Sequence, residues 1–468
     1  MKTLRHFVPF PFGKGDKVEF LISSLHSIFL YNVIFTRKSR KKCKFLEYRP
    51  KNFTKNKKYD IMISEVKTMI KRELYLNKIR DFYDSELIKV IMGIRRCGKS
   101  VLLGQIIEEI KERGIKEDHI IYMNFEDYDF IEYTNGKNFN EYIKNKIKDK
   151  NKYYLFFDEI QNVQDFERVI NSFRATMNVS IFITGSNSKL LSGELATVLT
   201  GRFISLKMMP FTYSEFIELK KEKKEEITEK SFDEFIEWGG MPLIYNTNNE
   251  MERKMYLRDL YNAIILKDIV ERNNIKDINL LNRIIQFMME NIGGVLSSNS
   301  IARYLKNEKI STSVDTVMNY IDYITTSSIF NKVNRYDIRG KNVMATLEKY
   351  YLTDLGLLAL KSSPIEKKIG GRLENIVYNE LIARGYEVYI GKTEKGEIDF
   401  VVDKFGEREY IQVADYLSSD DVIKREFRAF KYVDDNYPKY VITMDRINYS
   451  QNGIIHLNLK DFLLNNER

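Results

Sequence analysis

The chain of 468 residues is short of cysteine, histidine and proline. Two cysteines, Cys43 and Cys97, cannot build a disulfide framework, which points to a reducing cytoplasm. The four histidines, His6, His26, His119 and His456, stand far apart, without the spacing of a zinc site. Seven prolines and 23 glycines exclude a collagen-like or low-complexity chain. Long apolar runs are also missing. The best candidate, Leu21–Phe35, is broken by Ser23, Ser24, His26, Ser27 and Asn32, and falls short of the roughly 20 apolar residues that a spanning helix needs. No small-residue cleavage site follows it, so a secretory signal is not expected. What remains is 43% apolar and 30% charged, a globular composition, and the length predicts about three domains.

The surplus positive charge sits at one end. Of 75 basic and 66 acidic residues, the first 60 positions hold 15 and 4, including the run Arg37-Lys38-Ser39-Arg40-Lys41-Lys42. The rest is near neutral, so bulk charge gives no argument for nucleic-acid binding beyond this segment. Residues 1–61 read as a basic, poorly ordered extension, such as a start codon upstream of Met62 or Met69 would produce. A membrane-surface or nucleic-acid arm is the other reading.

Regular patterning begins after Met69. Leu87–Met92 reads as a buried strand that runs directly into Gly93-Ile94-Arg95-Arg96-Cys97-Gly98-Lys99-Ser100, a full G-x-x-x-x-G-K-[ST] match. An amphipathic helix opens at Val101 and stops at Gly114. In this strand–loop–helix setting the two glycines let successive N–H groups face phosphate oxygens, and the helix N-terminus adds its positive end. Lys99 is placed for the β- and γ-phosphates and Ser100 for Mg²⁺. The pattern therefore predicts ATP and Mg²⁺ as ligands.

A second apolar strand, Tyr153–Phe157, ends in Asp158 and Glu159. Asp158 is the expected second Mg²⁺ carboxylate, and Glu159 the candidate general base for the attacking water. A third strand, Val179–Thr184, follows a helix near Phe166–Met177 and leads to Ser186 and Asn187, alternative candidates for orienting that water. A helix near Lys189–Leu199 should follow. Arg202 then precedes a strand at Phe203–Met208, where an arginine finger would project toward a neighbouring subunit; a surface salt bridge is the competing reading.

The order of these parts resembles the AAA+ ATPases. More narrowly, it is similar to the prokaryotic ATPases that couple an AAA-type domain to a C-terminal domain of uncharacterised function. The matching segments are Gly93–Ser100 with its two arginines, Phe157-Asp158-Glu159, Ile183–Ser186, Leu199–Arg202, Pro210-Phe211 and Gly239-Gly240-Met241-Pro242. The resemblance runs from about Met69 to the end and implies ATP binding and hydrolysis in the cytoplasm.

From Thr212 to about Leu281 the pattern is helical, the place of a lid over the nucleotide, with Arg258 or Arg272 as candidate phosphate contacts. Residues 297–352 read as two helices and a hairpin, a winged-helix outline. Its second helix, from Ser313, carries Asp315 and Asp322 and no basic residue, a poor match for a DNA groove. The last hundred residues place Glu374 on a helix, Asp399 on a strand and Gln412-Val413-Ala414 on the next. This resembles the PD-(D/E)XK nuclease fold, in which carboxylates hold a divalent metal and a lysine supplies charge. Gln412 replaces a carboxylate here, and Ala414 cannot replace the lysine. Lys392 or Lys395 would have to migrate in, so impaired or absent cleavage is expected.

The sequence thus predicts an α/β protein. Its expected parts are the N-terminal extension 1–61, a P-loop AAA+ core (62–211), a helical lid (212–290), a winged-helix-like segment (291–362) and an α/β nuclease-like domain (366–468). The expected activity is Mg²⁺-dependent ATP hydrolysis coupled to the C-terminal domains. A nucleotide-gated DNA- or protein-binding module and an ATP-regulated nuclease are the alternatives. A DNA or protein client and a homo-oligomer are the open partners, and no membrane is expected.

Overall fold

A computed structural model of the chain describes residues 70–186, 199–247, 249–360 and 369–465. The extension 1–61, Asn187 and all but the last residue of the helix expected at Lys189–Leu199 lie outside them.

The first half is built on five parallel strands: β1 (Ile88–Met92), β2 (Ile120–Asn124), β3 (Tyr153–Asp158), β4 (Val179–Gly185) and β5 (Phe203–Lys207), in the order β2-β3-β4-β1-β5. A parallel sheet covered on both faces needs strands that are apolar at nearly every position. β3 and β4 meet that demand, being buried along their whole length. Phe156 of β3 stacks on Phe182 of β4 at 4.6 Å between ring centres. The exception on β1 is Lys89, fully buried, whose ammonium donates to Ser180 Oγ at 2.7 Å and Ser85 O at 3.0 Å. The helices Lys99–Glu112 and Phe166–Thr176 fall where the apolar periodicity places them. In such sheets ligands bind beyond the carboxyl ends of the strands. The loops leaving β1, β3 and β4 carry the motif residues there.

Residues 213–290 are mostly helical, the character expected from Thr212 to about Leu281. Thr212 and Glu215 form a reciprocal capping box at the start of Tyr213–Glu222. The helix Glu250–Ala263 continues without a break into a π-helical stretch, Ile264–Glu271. Wide turns of this kind are rare and are found frequently at functional sites. Among the described residues no helix is long and apolar enough to cross a membrane.

A second sheet holds eight strands: β6 (Val295–Leu296), β7 (Phe330–Asp337), β8 (Asn342–Leu352), β9 (Glu387–Lys392), β10 (Glu397–Lys404), β11 (Glu407–Val413), β12 (Lys439–Thr443) and β13 (Ile454–Asn458). Their order is β13-β12-β11-β10-β9-β7-β8-β6. The helices Ser298–Asn307 and Val314–Thr326 and the β7–β8 hairpin reproduce the expected two helices and hairpin. The sheet, however, crosses the division drawn from the sequence at 362–366, because β7 pairs in parallel with β9 (Arg335 opposite Ile390, Asp337 opposite Lys392). Periodicity reports which face of a strand is apolar, not which strand lies beside it, so this pairing could not be read from the chain. One continuous apolar core runs from Leu102 and Ile106 behind the phosphate loop to Leu373 and Ile411.

Candidate nucleotide site

The loop between β1 and the helix Lys99–Glu112 is shaped by two glycines. A Cβ at Gly93 would lie 2.3 Å from the Met208 carbonyl oxygen, and Gly98 has φ of 107°, in the left-handed region. Lys99 is buried at 4% exposure, with its ammonium 3.1 Å from the Gly93 carbonyl and 3.5 Å from Glu159 Oε1. Burial alone would lower its pKa. The surrounding groups, Cys97, Glu159 and Asp158, outweigh burial and hold it above the usual lysine value. Ser100 lies in the first turn of the helix and is exposed, Ile94 and Cys97 are buried in the core, and Arg96 lies over the Tyr256 ring at 5.8 Å. Val101 continues the helix.

Asp158 and Glu159 stand at the carboxyl end of β3, one on each side of a sharp change in backbone direction: Glu159 is left-handed, with φ of 52°. A non-glycine residue held there must be over-determined by its surroundings, and such positions cluster at functional sites. Here the holder is Thr184 on β4. Its hydroxyl donates to Asp158 Oδ1 and accepts the Glu159 N–H at 2.9 Å. Tyr122 OH donates to the other Asp158 oxygen at 3.2 Å. Burial, then the Glu159 charge, pushes the Asp158 carboxyl up, while the Ser100 and Thr184 hydroxyls and Lys99 oppose that rise. For Glu159 burial also pushes upward, but Lys99, Gln161 and Arg95 win and hold it below the usual glutamate value. It is therefore an anion at neutral pH, the state a base needs. A hard cation takes oxygen ligands. The Asp158 carboxylate and Ser100 hydroxyl, near enough to hydrogen-bond, are such a donor pair.

The structure brings Gly93–Val101, Asp158, Glu159 and Ser186 to one edge of the sheet. Ser186 is buried, and its hydroxyl reaches Asp268 Oδ1 at 3.5 Å rather than Glu159. Arg202 is exposed just before β5 and donates to Asn171 Oδ1 at 3.1 Å. Of the two helical arginines, Arg258 is exposed, while Arg272 pairs with Asp268 at 3.3 Å.

Three residues that the sequence reading passed over complete the site. Thr184 is one. The second is Asp268, presented by the π-helical stretch and almost wholly buried. It receives Arg95 of the phosphate loop at 3.1 Å as well as Arg272, so a helical element 173 positions away holds the loop. The third is Arg72, at 2% exposure just ahead of the helix Glu73–Ile79. Its guanidinium pairs with Glu215 at 2.7 Å and donates to the carbonyls of Cys97 at 3.0 Å and Met209 at 2.8 Å. It thus ties the phosphate loop to β5 and the helical region. An aspartate within an apolar helical run was the available signal for Asp268; for Arg72 there was none.

The glycine pair of Gly239-Gly240-Met241-Pro242 has a structural reason. Asp354, just beyond β8, accepts the N–H groups of Gly240 at 2.7 Å and Gly356 at 2.9 Å, and a Cβ at Gly239 would lie 2.1 Å from its Oδ1. In the C-terminal half Glu374, Asp399 and Gln412 also converge. Gln412 Oε1 accepts the Asp399 N–H at 3.3 Å, while Lys349 of β8 lies 2.9 Å from Glu374 and 3.7 Å from Asp399. The sequence left this cluster without a cation unless Lys392 or Lys395 moved in. Neither does: Lys392 pairs with Asp337 at 3.4 Å and Lys395 lies over the Tyr432 ring at 5.9 Å.

Comparison with known proteins agrees with the loop and sheet. Residues 85–217 match the family model described as an AAA domain, and residues 229–365 match one described as a domain of unknown function (DUF8612). An uncharacterised protein of Haemophilus influenzae is 36% identical over 379 residues, covering 81% of this chain and 94% of that one. An uncharacterised protein of Methanocaldococcus jannaschii is 31% identical over 387 residues, covering 80% and 85%. Among solved structures, AMPPCP-bound DnaA from Aquifex aeolicus is 17% identical, with a TM-score of 0.29 over 55% of this chain and 89% of that one. The Aeropyrum pernix ORC1 protein in complex with DNA is 12% identical, with a TM-score of 0.31 over 67% and 97%.

Proposed function

The chain carries a P-loop AAA domain and belongs to one family with its Haemophilus influenzae and Methanocaldococcus jannaschii relatives; from that premise we propose that it binds ATP with Mg²⁺, hydrolyses it, and passes the nucleotide state to its C-terminal half. The observation that carries the reading is the placement of an anionic Glu159, fixed by Thr184, 3.5 Å from the phosphate-loop lysine. Lys99 neutralises the β- and γ-phosphates, the loop N–H groups orient them, and Glu159 takes the proton of the attacking water. Ser100 and Asp158 would hold Mg²⁺, which supplies charge neutralisation between the phosphates. Arg95 of the loop, paired with Asp268, gives the helical segment a direct hold on the phosphate loop, the route by which an arriving phosphate is felt outside the core, and Arg272 braces Asp268 from its own helix.

Residues 366–468 are read as a nuclease-like outline without DNA cleavage. Arg202 is read as a contact across a homo-oligomer, the client as DNA or protein reached through the C-terminal half, and the cytoplasm as the setting. Phosphate release from ATP in Mg²⁺ tests the activity. Lys99→Ala should abolish it together with ATP binding measured by calorimetry. Full ATP affinity in that variant would remove the assignment.

A further inference from the structure

The cluster around Glu374 is more than the three residues legible in the sequence. Register places Glu397 and Asp399 two positions apart on one face of β10, while Ile398, Phe400 and Val402 fill the other. The helix Ile369–Arg384 brings Glu374 onto the same point. Into the gap between these carboxylates comes one ammonium. Lys349 Nζ lies 2.7 Å from Glu397, 2.9 Å from Glu374 and 3.7 Å from Asp399, and its side chain is 5% exposed.

Strand β8 is shaped to deliver it. Between the pairs Val333–Lys349 and Arg335–Met344, β8 spends three more residues than β7, a bulge in which Leu347 is left-handed at φ of 62°. The same strand supplies Tyr351, whose hydroxyl donates to Glu374. Two further oxygens of the cluster have partners, one backbone and one charged. The Val413 N–H reaches Asp399 Oδ2 at 2.9 Å, and Arg335 stands 3.5 Å from Glu397 Oε2.

We infer that Lys349 is the resident cation of this cluster: its ammonium fills the place that a divalent ion would take among Glu374, Glu397 and Asp399, and in doing so fixes β8 to β10 and to the helix Ile369–Arg384. An ammonium surrounded at 2.7–3.7 Å by carboxylates from two separate elements, with the Arg335 guanidinium 3.5 Å from Glu397, excludes a divalent ion by occupancy and by repulsion. Stripping it away leaves three largely buried carboxylates facing one another, which is unstable unless another cation enters.

The test uses the full chain without added nucleotide and Mn²⁺ as the probe, read by electron paramagnetic resonance and by thermal unfolding. The unaltered protein should bind Mn²⁺ no differently from Asp399→Asn. Lys349→Met should unfold at lower temperature, gain a Mn²⁺ site that restores part of the loss, and surrender that site when Asp399→Asn is added. Lys349→Arg, which keeps the charge, should fold and stay blind to Mn²⁺, and this arm holds even if Lys349→Met proves insoluble. Mn²⁺ binding by the unaltered protein that disappears in Asp399→Asn would overturn the inference. So would a Lys349→Met protein that is folded and indifferent to Mn²⁺, or a Lys349→Arg protein that behaves like Lys349→Met.

Discussion

Arg72→Met removes a charge that nothing else can replace. The guanidinium is at 2% exposure, and Glu215, its partner at 2.7 Å, has a side chain at 7%. Taking one member from a buried pair costs roughly 3–5 kcal/mol, because the other is left charged and dry. The carbonyls of Cys97, Met209 and Pro210 lose their donor as well, which places the loss toward the upper end of that range. Glu215 retains the Thr212 N–H at 2.9 Å, and this keeps it from rising further. The double variant Arg72→Met with Glu215→Met should be milder than the sum of the single ones, with a coupling of about 1–3 kcal/mol, since no unpaired charge remains. Urea unfolding followed through Trp238, the sole tryptophan, reads this directly, because its ring is buried in the same apolar core. A second reading is ATP affinity under conditions where the variant is folded. It should fall, because the Cys97 carbonyl of the phosphate loop has lost its anchor. If Arg72→Met costs less than about 1 kcal/mol, or the two substitutions simply add, the pair is not the tie described.

The remaining predictions concern catalysis, assembly and pH. Glu159→Gln keeps the side-chain shape and removes the base; turnover should drop by roughly 10²–10⁴-fold with ATP held on the protein, and near-normal phosphate release would move the base elsewhere. Arg202→Ala should lower turnover while leaving nucleotide affinity intact if subunits share the site; turnover per subunit that is independent of protein concentration, with a harmless substitution, returns Arg202 to its contact with Asn171. Burial pushes the Asp354 carboxyl up to about 7 in spite of the N–H groups of Gly240, Gly356 and Met241. The folded form therefore holds its proton longer than the unfolded one, so the stability contributed at this position falls as pH rises from about 4 to about 7 and is flat above. Unfolding profiles of the chain and of Asp354→Asn across that window should differ in slope, and parallel profiles would show that this carboxyl does not titrate there.

The part of the site that was legible in the sequence is the part built locally. Gly93–Ser100 lies between a strand and a helix that follow directly, so motif and setting are read together, and Asp158-Glu159 ends an apolar strand that periodicity identifies. What escaped were residues that reach the loop from a distance. Arg95 and Asp268 are 173 positions apart, and Arg72 and Glu215 are 143 apart. No local pattern encodes such a pair, because the chain must first fold for the two charges to meet. The lysine of the C-terminal cluster illustrates the same limit. Its position was sought near residue 414 and in the turn at 392–395, but strand order rather than sequence order decides which ammonium arrives, and β8 supplies Lys349.

The parallel seam between β7 and β9 has a practical consequence for dividing the chain. The DUF8612 match ends at residue 365, between β8 and β9 in sequence, which invites a cut there. In the sheet that cut falls along a row of backbone hydrogen bonds in the interior, with five strands on one side and three on the other. Either fragment would carry a newly bared edge of unpaired N–H and C=O groups, the kind of surface that recruits other strands. The C-terminal hundred residues expressed alone should accordingly associate or precipitate, and a soluble piece should begin no later than the helix Ile278–Glu290, so that β6 to β13 remain one sheet.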